Sequence, residues 1–305
     1  MSIEEKQMQI VTLEEKLLSL DMNTEEFTAI KKELKALKQE VYASLSAWDR
    51  VCIARDERRV KGKELLEKIC PNLFELHGDQ YYGDDASIIG GIGMICNIPV
   101  TIIAQAKGKG ITENLKRNFG MTSPEGFRKA LRLAKEAEKF KRPIITIVDT
   151  SGAYPGKGAE ERGQARAIAQ NLMEFSKLKT PIISIVLSEG GSGGALALSV
   201  SDYIYMFENA VYSVLSPEGF SSILFKNTKP VSEVANYMKL TSQDLLDYGV
   251  IDEIIKEPLG GIHYLSDEYI KPIIDSIVAK IKELSSKPTE DLVEERYQKF
   301  RKIGI

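Results

Sequence analysis

The chain has 305 residues, 43% hydrophobic and 28% charged, an ordinary globular composition that excludes a disordered or fibrous protein. A net charge of −3 excludes a global basic field for nucleic acid or a membrane surface, no apolar run approaches the about 18 residues of a membrane span, and MSIEEKQMQ at the N-terminus predicts no secretory signal. Cys52, Cys70 and Cys96 form no CxxC pair and the histidines are only His77 and His263, which argues against a zinc ribbon, a dithiol site or a His-rich metal site and suits a reducing cytoplasm.

The first segment reads as a helical hairpin. Ile10, Leu13, Leu17 and Leu20 recur at helical spacing, and Phe27, Ile30, Leu34, Leu37 and Val41 resume it after a break at residues 21–24. Asn23 is the expected cap, with Glu26 three residues on. Residues 1–70 are expected to be a helical arm for packing or dimerisation, with Phe27 and Trp48 in its seam, and residues 71–305 the main domain. Residues 71–86 read as loop, and His77 as a turn residue. Ser87–Cys96 and Val100–Ala106 read as strands joined at Asn97-Ile98-Pro99. A loop over 108–122, with Lys107, Lys109, Lys116 and Arg117, suits either a bound phosphate or carboxylate or a solvated face. Ser123-Pro124-Glu125 then starts a helix running to about Phe140.

From here the pattern is strand, glycine corner, helix, twice. Pro143-Ile-Ile-Thr-Ile-Val148 leads into Asp149-Thr-Ser-Gly-Ala-Tyr-Pro-Gly156 and a helix to about Lys177. Pro181-Ile-Ile-Ser-Ile-Val-Leu187 leads into Ser188-Glu-Gly-Gly-Ser-Gly-Gly194 and a helix from Ala195. Short apolar runs of this kind are buried parallel strands. Tyr203–Phe207 and Val211–Leu215 are further strands, Ser216-Pro217-Glu218-Gly219 another helix start, and the tail from Asp267 an outer helical layer.

Open α/β sheets place their sites at the carboxyl ends of parallel strands. A corner that opens a helix presents N–H groups with no partner inside the helix. Two such corners side by side suit stabilisation of an oxyanion or enolate. The candidate donors are Gly193 and Gly194 in the second corner and Gly152 and Ala153 in the first. The same glycines would equally serve tight turns and close packing. Glu160, Glu161 and Arg162 read as charges at a helix start.

Three other glycine motifs lie close to these corners. Gly152–Gly158 falls one residue short of a Walker A loop and lacks its hydroxyl. Gly191-Ser-Gly193-Gly-Ala-Leu196 lacks the last glycine of a dinucleotide fingerprint. Gly190-Gly-Ser192-Gly-Gly194 matches the nucleophile elbow, and a serine hydrolase using Ser192, Asp252 and His263 is the rival reading.

Six stretches in order resemble one family: Asn118–Leu133, Asp149–Gly156, Gly158–Gln164, Glu189–Ala197, Ser213–Gly219 and Glu257–His263. They are similar to the alpha subunits of the bacterial acetyl-CoA carboxylase carboxyltransferase, and the likeness includes the N-terminal helices. The resemblance implies an α/β fold, the crotonase-like ββα superhelix with an N-terminal helical hairpin. It implies transfer of a carboxyl group from carboxybiotin, held covalently on the biotin carboxyl carrier protein, to acetyl-CoA, giving malonyl-CoA for fatty acid synthesis. The working unit implied is an α2β2 heterotetramer with a carboxyltransferase beta subunit, served by biotin carboxylase, in the cytoplasm. The family's oxyanion hole maps to Gly193 and Gly194, and Gly190, Gly191, Ser192 and Tyr154 are expected on the biotin side. Negative charge develops on the ureido oxygen of biotin, whose nitrogen can take the methyl proton, so no protein base is required. No biotinylation site, zinc cysteines or ATP-binding glycine loop is visible, so those functions are assigned to other chains. Ser151 stands where the family often has Pro, and Gln105 where His is common. Carboxyl transfer to another acyl-CoA, and a non-catalytic scaffold, are the remaining alternatives.

Overall fold

The computed structural model describes residues 3–304. In chain order the elements are α1 (Ile3–Ser19), α2 (Glu25–Tyr42), α3 (Ala47–Arg55), α4 (Gly62–Ile69), β1 (Phe74–Glu75), β2 (Ile88–Ile95), β3 (Ile98–Gln105), α5 (Gly110–Lys116), α6 (Pro124–Lys139) and β4 (Ile144–Thr150). They continue with α7 (Lys157–Glu161), α8 (Gln164–Phe175), β5 (Ile182–Gly191), α9 (Ser192–Ser199), β6 (Tyr203–Phe207), β7 (Val211–Ser213), α10 (Pro217–Phe225), α11 (Val231–Tyr237), α12 (Ser242–Asp247), β8 (Glu253–Ile255), α13 (Asp267–Ser285) and α14 (Thr289–Arg301).

One mixed sheet runs β1-β2-β3-β4-β5-β6-β8. β1, β2 and β3 pair antiparallel; every pair from β3–β4 onward is parallel. The lower half of β5 pairs with β6, and its last residues, Glu189–Gly191, pair with β7. β4 and β5 lie in register, Ile144 opposite Ile182 and Thr146 opposite Ser184. Helices cover both faces, so Ile144, Ile145, Ile147, Ile182, Ile183 and Ile185 are fully buried. Each such side chain contributes about 1.5–3 kcal/mol by leaving water. The one polar position of each strand explains itself: the Thr146 and Ser184 hydroxyls lie 2.7 Å apart and both donate to the Leu198 carbonyl of α9.

The helical hairpin forms at residues 3–42, with its own small core of Ile3, Ile10, Leu34 and Val41. The cap falls one residue later than expected: the Thr24 hydroxyl, not Asn23, accepts the Phe27 N–H. Trp48 lies outside this seam, packed with Val51, Ala54, Val211 and Leu240. Leu65, Leu66 and Ile69 of α4 belong to the main core. The first 70 residues thus hold two things, a hairpin with its own core and two helices bound to the sheet.

Several boundaries move. The β2–β3 turn is Cys96-Asn97, both at positive φ (46° and 65°), the geometry of a tight hairpin, so β3 begins at Ile98. The expected loops hold short elements, β1 within 71–86 and α5 within 108–122. The helix after the first corner breaks at Gly163 (φ 83°) into α7 and α8. The outer layer is pinned from within: fully buried Arg296 of α14 pairs with Asp202 and donates to the carbonyls of Phe175, Leu178 and Thr180.

Candidate active site

The second corner is tighter than expected. β5 runs on to Gly191, and α9 starts at once at Ser192 rather than Ala195. Gly193 and Gly194 therefore stand in the first turn of a helix, where N–H groups lack an intrahelical acceptor, and no side chain caps them because Gly191 has none. Ser192 makes the turn at φ 52° with its side chain exposed.

The two corners touch backbone to backbone. A Cβ on Gly191 would lie 2.1 Å from the Ser151 carbonyl oxygen, and one on Gly194 would lie 2.5 Å from the Gly152 carbonyl carbon and 2.6 Å from the Ala153 nitrogen. These two positions are glycine because nothing else fits. Gly193 differs: its Cβ would meet only Ile168 of α8, at 3.4 Å, and its backbone is part-exposed. Gly190 holds its Cα against the ring of Tyr212.

In the first corner the donors are largely engaged. Gly152, at φ 153°, gives its N–H to the Thr150 hydroxyl (3.1 Å), which donates to the Gly152 carbonyl (2.7 Å). Tyr154 gives its N–H to the Thr122 carbonyl, and its own carbonyl accepts from Gln164. Ala153 bridges to Thr122, with its nitrogen on the side that Gly194 approaches.

A buried charge network underlies both corners. Glu189, just before the glycines, accepts from Arg55 Nε and from Lys107 Nζ, each at 2.7 Å. Lys107 Nζ also lies 3.2 Å from the fully buried Asp149 carboxylate, and Arg55 reaches Glu218 of α10 at 2.6 Å. Burial pushes the Glu189 carboxyl up, but Lys107 and Arg55 outweigh it and bring it down to about 2. Burial likewise pushes the Lys107 ammonium down, and Asp149 and Glu189 raise it above its usual range. Behind this layer Arg59 is fully buried, donating to the Ser188 hydroxyl and Leu187 carbonyl of β5 and pairing with Glu257 at 2.6 Å. Sequence reading missed Arg55 and Arg59, because a charged run after a helix looks like solvated surface. Only the fold shows it threading toward the end of β5.

The rival constellation is not assembled. The Asp252 carboxylate accepts from the Ile204 N–H and pairs with Lys299, while His263 sits beside Arg58 and Asp56. His77 lies 2.9 Å from the Asp84 carboxylate, in the irregular segment between β1 and β2. Arg162 caps the end of α7 and pairs with Glu125 instead of marking a helix start, and Arg117 is taken by Glu113 and the Ala86 carbonyl. No cluster of His, Cys, Asp and Glu among the described residues could hold a metal ion, and none of their helices is long and apolar enough to cross a membrane.

The chain is thus a mixed α/β sheet in which the ends of two adjoining parallel strands, β4 and β5, bring their glycine corners into backbone contact. Solved structures share this fold. Transcarboxylase 12S with methylmalonyl-coenzyme A superposes with a TM-score of 0.59 at 20% identity, over 73% of this chain and 42% of that one. A Pseudomonas malonate decarboxylase hetero-tetramer in complex with coenzyme A gives 0.61 at 16% identity, over 77% and 91%. The fold is thus crotonase-like. The family model for acetyl co-enzyme A carboxylase carboxyltransferase-like proteins matches residues 1–304. The carboxyl transferase alpha subunit of Alkaliphilus oremlandii is 52% identical, covering 92% of this chain and 89% of its own length. That of Clostridium botulinum strain Alaska E43 is 56% identical over 85% and 94%. The chain belongs to the family of acetyl-coenzyme A carboxylase carboxyl transferase alpha subunits.

Proposed function

We propose that this chain, joined to a beta subunit, transfers the carboxyl group of carboxybiotin to acetyl-CoA and so forms malonyl-CoA. The observation that carries the reading is Gly193, a part-exposed residue in the first turn of α9, whose N–H has no acceptor in its helix and no side-chain cap. When bound, carboxybiotin supplies the carboxyl group and a ureido oxygen on which negative charge collects. Gly193 and Gly194 are positioned to stabilise that charge by fixed dipoles that need no reorganisation. Ala153 is the second donor, and Gly152 shapes the corner through its bond to Thr150. Gly190, Gly191, Ser192 and Tyr154 line the biotin side. The missing Cβ at Gly193 leaves the approach to the donors clear, which fits a flat ureido ring. No side chain of this site is required as a base.

The rest of the assembly follows from the same reading. The biotin is carried on the biotin carboxyl carrier protein and is charged by biotin carboxylase. The beta subunit covers the exposed apolar side chains flanking the corners. Phe119 precedes Gly120, which lies against Lys107 and the Asp149 carbonyl. Val214 follows Ser213, the residue in register with Gly191. The main domain carries the chemistry and the N-terminal hairpin serves assembly. Three free cysteines, Cys52, Cys70 and Cys96, suit the cytoplasm.

The test is malonyl-CoA formation from acetyl-CoA and carboxybiotin carrier, with this chain alone, with a beta subunit, and with Gly193→Val plus beta. A Cβ at 193 makes only ordinary contact with Ile168, so the fold is expected to survive while the donor is crowded. Activity is expected only in the mixture, with kcat about 10²–10³-fold lower in the variant. Wild-type turnover by assembled Gly193→Val would overturn the donor assignment.

A further inference from the structure

Gln105 ends β3 beneath both corners and is fully buried. Both ends of its amide are engaged: Nε2 donates to the Gly194 carbonyl at 2.7 Å, and Oε1 accepts the Asp149 N–H at 3.3 Å. The β3–β4 ladder stops at Ala104 opposite Ile147, and a buried N–H beyond it needs a partner, which this side chain supplies. The Gln105 backbone is itself walled in. A Cβ on Gly62, at the start of α4, would lie 2.0 Å from the Gln105 carbonyl oxygen.

We infer that Gln105 is a positioning residue for carboxyl transfer: one amide ties the first turn of α9 to the end of β4 and so aims the Gly193 N–H. The inference rests on the donor role of Gly193. The donor segment is held at its entrance where Gly191 meets Ser151, and at its exit where Gly194 meets Gly152 and Gln105. A helix of 8 residues makes few hydrogen bonds of its own, so its direction depends on such anchors. Its far end has a separate anchor, where Thr146 and Ser184 hold the Leu198 carbonyl. Gln105 and Thr146 are thus both buried side chains of the central strands bonded to one helix, at opposite ends. Only the Gln105 end carries the donors.

That contrast provides the experiment. The assembled complex is assayed with wild type, Gln105→Met, Gln105→Asn, Thr146→Val and Gly193→Val, reading kcat, KM for acetyl-CoA and Tm. Met matches the length of Gln without its bonds; Asn keeps the amide but is a methylene too short to span both partners. Each Gln105 variant is expected to lose about 10–100-fold in kcat, the scale for a misplaced reacting group, with KM changed less than about twofold. Thr146→Val is expected to lower Tm by about 2–4 °C and leave kcat within about twofold. Wild-type kcat in assembled Gln105→Asn, or losses in both Gln105 variants that Thr146→Val reproduces, would overturn the role. Gly193→Val separates the two ideas. If it retains turnover, the donor reading falls and the inference with it. If it is inactive while the Gln105 variants are not, the donor stands and only the aiming role falls. Should Gln105→Met fail to assemble, Gln105→Asn decides.

Discussion

The two corners begin from nearly the same strand, Pro143-Ile-Ile-Thr-Ile-Val and Pro181-Ile-Ile-Ser-Ile-Val, paired in register, yet they end as different objects. β4 stops at Thr150, and the chain then turns inward on itself, with its N–H groups met by the Thr150 hydroxyl and the Thr122 carbonyl. β5 continues to Gly191 and becomes a helix without a loop, which leaves first-turn donors unmet. On the proposed reading the second corner is the main working surface, and the first braces it and adds Ala153. What separates them is less the number of glycines than whether a helix begins directly at the strand end.

The harshest way to break this arrangement is at the contact itself. Gly191→Ala would place a methyl 2.1 Å from the Ser151 carbonyl oxygen, a backbone atom that cannot swing aside. A shift of about 1 Å at the donors is expected to cut kcat at least about 100-fold, with about 1–3 kcal/mol lost in denaturant unfolding. An assembled Gly191→Ala complex of normal kcat would mean that the corners need not touch.

Next in size is the charge beneath the second corner. Glu189→Gln takes the shared carboxylate from Lys107 and Arg55, which keep Asp149 and Glu218, at a cost of about 1.5–3 kcal/mol. The folded-state carboxyl titrates at about 2 against an ordinary 4.5. Because the folded value is depressed, the stabilisation is complete above about pH 4.5 and disappears as pH falls toward about 2. The stability gap between wild type and Glu189→Gln is therefore expected to be level near neutrality and to close across that acid window. A gap that widened with acid would show that the carboxylate is not held by the two cations.

A smaller effect is expected in the buttress. Gly152 sits at φ 153° with open space where a Cβ would go, so Gly152→Ala meets backbone strain of about 1–3 kcal/mol but no clash. Its N–H is already given to Thr150, so kcat is expected to stay within about threefold of wild type. A kcat loss as large as that of Gly193→Val would make Gly152 more than a shaping residue.

Much of this was legible in the chain because burial and turn chemistry leave local marks. The central strands announced themselves by continuous Ile and Val, the hairpin by its 3-4 spacing, and the corners by glycine. What was not legible depended on distant partners. That Arg55 and Arg59 serve β5 rather than solvent, or that Gln105 spans Asp149 and Gly194, follows only once elements far apart in sequence are packed together. The helix start at Ser192 was placed three residues late, because a glycine run reads as loop while here the packing of Gly191 and Gly194 against the first corner supports a helix. Boundaries slipped most where positive φ fell on non-glycine residues, at Cys96, Asn97 and Ser192.

Ser192 offers the mildest and most discriminating test of the division of labour. It has the exposed, positive-φ setting of an elbow nucleophile, yet Asp252 is held by Ile204 and Lys299, and His263 lies beside Arg58 and Asp56. If backbone donors do the work, the hydroxyl at this position is not needed, and the backbone of an alanine donates as well as that of a serine. Ser192→Ala is expected to keep kcat for malonyl-CoA formation within about threefold of wild type, a change well below that of losing one donor. An acyl-enzyme trapped on Ser192 by an activated ester, or a kcat loss rivalling that of Gly193→Val, would transfer the chemistry from the main chain of this corner to its side chain.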